Sequence, residues 1–321
     1  MFKVMTWNVE NLFLPGQPSG PESQAIYEQK LHGLATVINT QQPDALALQE
    51  IGNPQALADL VDRLDRMDGV WHQRISQHPD SRGIRVAWLT TRPIDAHENI
   101  LTFPHQLQPV QTDDTGTPQA QMGRGALAIT ITSDAGTPIQ LITTHLKSKL
   151  LTYPGGRFTP HDEDERARYG AYALYRRAAE AATLRVAATQ ALAGQGRVRP
   201  VILTGDLNDT VQAATTQVLL GPPGSEIGTG GFDPPDNGEH HRLWNLAPIM
   251  PEGKNYSRIN QGRKELIDHI LVSCALVKPL TSVTCQAIIA APLPSVGPDP
   301  NARLNQPSSD HAPIIATFAN L

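Results

Sequence analysis

This chain of 321 residues is short of several things, and each shortage excludes something. It has two cysteines, Cys274 and Cys285, too few for a disulfide framework or a four-cysteine zinc centre. A bridge between neighbouring strands is open to them; two reduced core thiols are the expectation. No apolar run approaches the ~18–20 residues that span a bilayer. Four Trp, six Tyr and six Phe leave little material for an aromatic membrane-docking surface. Positive charge is not in excess: 26 Lys+Arg stand against 31 Asp+Glu, a net −5. That argues against coating nucleic acid by bulk electrostatics but leaves room for a local basic patch. There is no Gly-x-Ser-x-Gly, no P-loop, no Cys/His cluster and no repeat of 20–50 residues. The first strand pattern starts at Phe2, so no signal peptide is expected. A cytoplasmic monomer without stable membrane insertion is expected.

What is present is globular stock, 40% hydrophobic and 18% charged, so wholesale disorder is excluded. Short apolar runs bounded by polar turns predict strands at Phe2–Thr6, Ala45–Leu48, Val86–Leu89, Ala126–Thr132, Gln140–Thr144, Val201–Thr204, Ile267–Val272 and Ile314–Phe318. Apolar residues at helical spacing predict helices over Tyr27–Asn39, Gln55–Met67 and Glu163–Ala193. Pro/Gly-rich stretches at Gln17–Ser23, Gly221–Gly238 and Ala291–Ser309 read as loops. Motif-bearing strands lie on both sides of them, so one domain over 1–321 is expected, with an insertion around 150–165.

The informative pattern is where polar residues fall. Apolar strands repeatedly run out into acids, amides and histidines: Thr6-Trp7-Asn8-Val9-Glu10-Asn11, Leu48-Gln49-Glu50, Thr144-His145-Leu146-Lys147 and Thr204-Gly205-Asp206-Leu207-Asn208. Ile267-Asp268-His269-Ile270 and Ser309-Asp310-His311 close the series. Strand ends at one rim are where a rigid scaffold presents reactive groups. Taken singly, each is weak. Glu50 alone fits a turn former or helix cap, Asp206-Leu207-Asn208 an Asx-turn, Asp310 a turn before Pro313, and His145 a hydrogen-bonded core histidine. Asp268 is harder to dismiss, because an unpaired carboxylate inside an apolar run is costly and a histidine is its natural partner. Together the carboxylates and amides suit a hard divalent cation and the histidines suit proton traffic, a set that fits metal-assisted phosphate ester hydrolysis.

In that order, from Met5 to His311, these motifs resemble the endonuclease/exonuclease/phosphatase superfamily, the deoxyribonuclease-I-like hydrolases. The resemblance implies an α/β fold: a four-layer sandwich of two packed, mostly antiparallel sheets flanked by helices, with the site at one rim. It implies Mg²⁺ or Mn²⁺, with Ca²⁺ as a further candidate. Carried over by position, Glu50 is the principal metal ligand, helped by Asn8 and Asp310, with Glu10 as a second acidic contact. Asp206 orients or deprotonates the attacking water and Asn208 positions it or the phosphate. His311, oriented by Asp268, binds the scissile phosphate or moves a proton. His145 stabilises the phosphorane or protonates the leaving group. Arg124 matches an arginine that relatives place before the histidine strand. Arg85 fits as a second phosphate clamp, the alternative being an arginine that snorkels to solvent. Lys147 and Lys149 extend toward substrate phosphates; no acidic partner for His145 stands out. Of the bases after them, Arg157, Arg166, Arg168, Arg176, Arg177 and Arg185, most fit a solvated helix face with Glu–Arg pairs.

The leading functional expectation is a nuclease or phosphodiesterase acting on nucleic acid or another phosphoester. The second is a phosphatase or phospholipase-type esterase on a small organic phosphate, inositol phosphate or lipid headgroup, which the acidic net charge favours. The third, an inactive binding scaffold, would remove the need for paired acids and histidines at these strand ends.

Overall fold

Side-chain parity along the strands decides the architecture. The computed structural model describes every residue except 66–68, 233–237, 286–291, 298, 300 and 320. The far end of the helix expected over Gln55–Met67 and parts of the loops Gly221–Gly238 and Ala291–Ser309 lie outside the described residues. In chain order the first half holds β1 (Phe2–Leu12), α1 (Gln24–Gln41), β2 (Ala45–Ile51), α2 (Pro54–Val61), β3 (His72–Ile75), β4 (Arg85–Thr90), β5 (Ile94–Thr102), β6 (Gln121–Thr132) and β7 (Pro138–His145). Then follow α3 (Glu163–Leu192), β8 (Val201–Asp206), α4 (Ala214–Leu220), β9 (Leu243–Asn245), β10 (Arg258–Asn260), β11 (Arg263–Glu265) and β12 (Asp268–Ser273). The chain closes with α5 (Cys274–Val277), β13 (Leu280–Cys285), β14 (Ser295–Val296) and β15 (Ile314–Phe318).

Two six-stranded sheets result, ordered β13-β15-β1-β2-β4-β3 and β5-β6-β7-β8-β12-β9, with a small sheet β11-β10-β14 beside them. Each large sheet is antiparallel apart from one parallel pair, β1–β2 and β7–β8. A parallel pair needs a long crossover connection, and α1 and α3 supply one each. Along β1, Phe2 and Val4 face the other sheet, while Met5, Trp7 and Val9 face helices. The inter-sheet core is Ala45, Ala47, Val86 and Trp88 against Leu127, Ile129, Leu141, Ile202 and Ile270. Outside the first sheet, Leu46 and Leu48 pack on Leu31, Leu34, Ile38, Leu57 and Leu60 of α1 and α2. Outside the second, Ala128, Ile142 and Leu203 pack on Ala181, Leu184, Ala188 and Leu192 of α3. Helix, sheet, sheet, helix: the expected four layers are present, and each fully buried Leu or Ile contributes about 1.5–3 kcal/mol.

The helices start where the sequence caps them. The Ser23 hydroxyl accepts from the Ile26 N–H to open α1. The Asp162 carboxylate accepts from the Glu165 N–H to open α3, whose first turn is acidic, as the helix dipole favours. α2 stops at Val61, earlier than the spacing of Leu57, Leu60, Val61 and Leu64 predicts; Arg63 and Leu64 instead donate to carbonyls three residues back, a tightened last turn.

The inward-facing positions change character along each strand. On β1 they run Phe2, Val4, then Thr6 and Asn8; on β7 Ile139, Leu141, then Thr143 and His145. On β8 Ile202 gives way to Thr204 and Asp206, and β12 reads back from Val272 and Ile270 to Asp268. Gln49 bridges the gap at the transition, donating to Thr6 Oγ1 and Thr143 Oγ1. One end of the sandwich seam is therefore polar.

Candidate active site

Strand register sets one wall of that polar end. His145 lies beside Asp206 and Asp206 beside Asp268 across β7, β8 and β12, so the three form a row. The first sheet supplies the facing wall: Asn8 from β1, Glu50 from β2, and Ser309-Asp310-His311 leading into β15. The strand ends are bent to aim these groups. Pairing of β1 with β2 shifts between Asn8 and Leu12, and that of β2 with β4 between Gln49 and Ile51. Glu10, Asn11, Glu50 and Asn208 all have positive φ, from 51° to 67°, a region ordinary residues avoid and functional sites tolerate.

Asp206 is the hub. Its Oδ1 accepts the Asn208 N–H at 2.8 Å, the Asx-turn the sequence offers. Its Oδ2 accepts from Asn8 Nδ2 at 3.0 Å and lies 3.3 Å from His145 Nε2 and 3.8 Å from His311 Nε2. Turn former and site residue are thus one and the same. Gly205 has to be glycine, since φ is +140° and a Cβ there would sit 2.0 Å from the Thr144 carbonyl oxygen. Asn208 Nδ2 donates to the Leu146 carbonyl, tying β8 to the segment after His145.

Glu50 is joined to this hub through Asn8, whose Nδ2 also donates to Glu50 Oε1 at 3.2 Å, while the Asn11 N–H reaches Glu50 Oε2 at 2.9 Å. Asn8 turns its amide nitrogen toward the carboxylates and its oxygen to the Glu10 N–H. Asp310 Oδ1 lies 3.9 Å from His311 Nε2 and Glu50 Oε1 4.0 Å from His145 Nε2, and both histidines lie within 4 Å of Asp206 Oδ2, so Glu50 and Asp310 flank the same hub. His311 is fixed on all sides: Nδ1 faces Asp268 Oδ2 at 2.7 Å, its N–H donates to Ser309 Oγ, and the Trp7 indole donates to its carbonyl. Ser309 Oγ in turn donates to the Asn8 carbonyl.

Protonation follows from burial and neighbours. Burial, then the Asp268 charge, pushes Asp206 up to about 7. Burial alone would lower His311, but Asp268, Asp310 and Asp206 outweigh it and raise it to about 10. His145 goes the other way, held well below 6.5 by burial and by Arg124 and His311, so it is a neutral imidazole despite Asp206 at 3.3 Å. The site at neutral pH combines a carboxylate poised to take a proton, a cationic histidine and a neutral one.

Not every expected residue converges here. Glu10 accepts two bonds from Arg303, at 2.8 and 2.9 Å, plus the Asp310 N–H, and the Lys30 ammonium donates to its carbonyl. Burial, then the Asp310 charge, raises its pKa. Arg85 turns onto the Gly83 and Gly52 carbonyls. Arg124 pairs with Asp80 at 2.9 Å and donates to Leu146 O, beside His145. Lys147 Nζ donates to the Ser148 and Leu150 carbonyls, and burial followed by Arg124 and Arg176 lowers it to about 8. Lys149 pairs with Asp209. Of the helix bases, Arg166 and Arg168 pair with Glu163 and Asp114 at the surface, whereas Arg177 is buried on Asp209 and the Lys147 carbonyl. Arg258, Arg303 and Lys30 belong to the site's surroundings without any signal in the sequence: the strand carrying Arg258 is three residues long, too short for a period.

The donor set fits a divalent cation. Four carboxylates, Glu50, Asp206, Asp268 and Asp310, each lie within 4.0 Å of His145 or His311, and among the described residues buried Asp268 Oδ1 has no hydrogen-bond partner. Asp206, Asp268 and His311 bring ligand atoms within 4.8 Å of one another, but Asp268 and His311 are committed to each other at 2.7 Å. Glu50, whose side chain is 15% exposed, and Asp310 are the oxygen donors open to a partly hydrated hard cation.

The family described as the Endonuclease/Exonuclease/phosphatase family matches residues 5–311, and the chain belongs to it. The family indicates a divalent-metal-dependent phosphoester hydrolase. Solved structures share the fold. A family protein from Leptotrichia buccalis superposes with a TM-score of 0.56 at 15% identity, covering 100% of both chains. The human Nocturnin catalytic domain with bound sulfate gives 0.54 at 16%, over 99% of this chain and 94% of that one. A Neisseria 3′ phosphatase, NExo, bound to a product DNA hairpin gives 0.55 at 17%, over 100% of both. No curated protein matches this chain. Among the described residues, no helix is long and apolar enough to cross a membrane.

Proposed function

We infer that the chain hydrolyses a phosphodiester, with nucleic acid as the leading substrate class and Mg²⁺ or Mn²⁺ as cofactor. The observation that carries this reading is the hub at Asp206, a carboxylate raised to about 7 with a neutral and a cationic histidine within 4 Å of its Oδ2. Glu50 and Asp310 would hold the cation, with Asn8, whose amide nitrogen rather than oxygen faces the carboxylates, positioning Glu50; when bound, the cation would polarise the phosphoryl oxygen and lower the cost of charge developing there. Asp206 takes the proton of the attacking water at Oδ2, the oxygen left facing the hollow while Oδ1 is held by the Asn208 N–H. His311, kept cationic by Asp268, donates from Nε2 to a non-bridging oxygen. His145 offers an Nε2–H beside the same carboxylate and serves the leaving oxygen. Asn208 and Asn8 orient the carboxylates.

A phosphomonoester is the second reading, and one observation favours it. Two bases near the rim are paired with acids, Arg124 with Asp80 and Lys149 with Asp209, which reduces the positive surface offered to a long polyanion. A panel of supercoiled plasmid, oligonucleotides, bis-p-nitrophenyl phosphate and p-nitrophenyl phosphate with Mg²⁺ or Mn²⁺ separates the two. Diester cleavage supports the first reading. Intact diesters with hydrolysed monoester transfer the site to the second.

A further inference from the structure

The hairpin β10–β11 carries a cation that the reaction outlined above leaves unused. Ser257, fully buried, is pinned from three directions. Its N–H donates to the Glu265 carbonyl, its own carbonyl accepts from Ala312 at 2.7 Å, and its Oγ accepts the N–H groups of Ile267 and Asp268. Arg258 follows directly, and its backbone bridges that of His311. The Ser257–Arg258 segment is therefore tied to both members of the Asp268–His311 pair. Hairpin arginines ordinarily extend into water; this one turns inward, with Nε 3.3 Å from Asp310 Oδ2 and a side chain only a quarter exposed. That Nε is buried without an acceptor in hydrogen-bonding geometry, and among the described residues nothing accepts a hydrogen bond from the rest of the guanidinium. Burial works against its charge, but Asp310, Asp206 and Glu50 more than restore it.

We propose that Arg258 is a substrate-binding residue of this site, whose guanidinium takes the non-bridging oxygens of the scissile phosphoryl group from the Asp310 side. This rests on the phosphoester reading. A planar fork with unused donors matches a phosphoryl group in charge and geometry. Anchoring of the preceding Ser257, together with the Arg258–His311 backbone bridge, lets it do so without reorganising when charge builds up. The competing role is a plain counter-ion for Asp310, and the two roles separate when anion and cation binding are read independently.

The test uses Arg258→Ala, with Arg258→Lys as the variant that keeps the charge and loses the fork. Inorganic phosphate is titrated calorimetrically into each protein in Mg²⁺, Mn²⁺ is titrated separately, and steady-state rates are measured on bis-p-nitrophenyl phosphate. Arg258→Ala is expected to weaken inorganic phosphate binding about tenfold or more and to lower kcat/KM about 10²–10³-fold. Arg258→Lys should recover only part of both, and Mn²⁺ affinity should stay within about threefold of the parent, since the arginine is not a ligand. Unchanged phosphate affinity in Arg258→Ala, with or without altered Mn²⁺ affinity, overturns the proposal. Should Arg258→Ala not fold, the lysine variant decides alone: full parental phosphate affinity and rate would contradict the fork. If the parent protein cleaves no phosphoester at all, the functional reading fails, while the phosphate titration still rules on Arg258.

Discussion

Asp206 is where residue-scale chemistry concentrates. A carboxylate that holds a proton up to about pH 7 in the metal-free protein is matched to taking one from water near neutrality. Asp206→Ala should lower kcat by about 10³-fold or more with circular dichroism unchanged; a rate within tenfold of the parent contradicts the assignment. His311 gives a second test. Its pKa is raised above the ordinary 6.5 to about 10, so its pairing contributes stability in full below pH 6.5 and loses it as pH climbs toward 10. NMR titration of the metal-free protein should find the His311 ring still protonated at pH 8, and Asp268→Asn should bring its midpoint down by more than one unit. At this scale much of the site was legible. Asp268 declared itself as a charge in an apolar run, and Asn8, Glu50, His145, Asp206, Asp310 and His311 as polar ends of apolar strands. Arg258 and Arg303 were not legible, because both come from segments without periodicity and their roles depend on which strand end they fold back onto.

The element scale turns on bent strand ends. β1 runs to Leu12 and β2 to Ile51, beyond the apolar cores at Phe2–Thr6 and Ala45–Leu48, because the bulges continue the pairing while turning Glu50 inward. Alternation is lost at such a bulge, so a period-two reading stops short of it. Edge strands escape for a different reason. β5 is mostly exposed, with Asp95, His97 and Glu98 along it, and its composition does not advertise a strand. β8 lies beside β7 at Gly205 and Thr144, where an added Cβ would meet the Thr144 carbonyl oxygen at 2.0 Å. Gly205→Ala should cost more than about 2 kcal/mol in urea unfolding and depress activity with it; a variant as stable as the parent would show that the close approach is not required.

For the whole molecule, the sandwich is a seam that is apolar for most of its length and acidic at one rim. Packing four carboxylates into one hollow costs stability that a divalent cation returns. Mg²⁺ should therefore raise the parent's melting temperature by several degrees, and much less so in Glu50→Gln, whose activity should also need more cation. Equal Mg²⁺ shifts in both proteins would remove Glu50 from the metal site. The four-layer arrangement was legible from the order of strand and helix patterns together with the family resemblance; the small β10–β11–β14 sheet that frames the rim was not, because strands of two or three residues leave no period to read. The most direct test of the convergent rim is hydrolysis of bis-p-nitrophenyl phosphate and plasmid by parent and Asp206→Ala protein, before chelation, after it, and after Mg²⁺ or Mn²⁺ is returned. The parent should cleave at least one of them, stop on chelation and resume with metal, while the variant stays inactive throughout. Cleavage that ignores the chelator, or that survives in Asp206→Ala, would contradict the account.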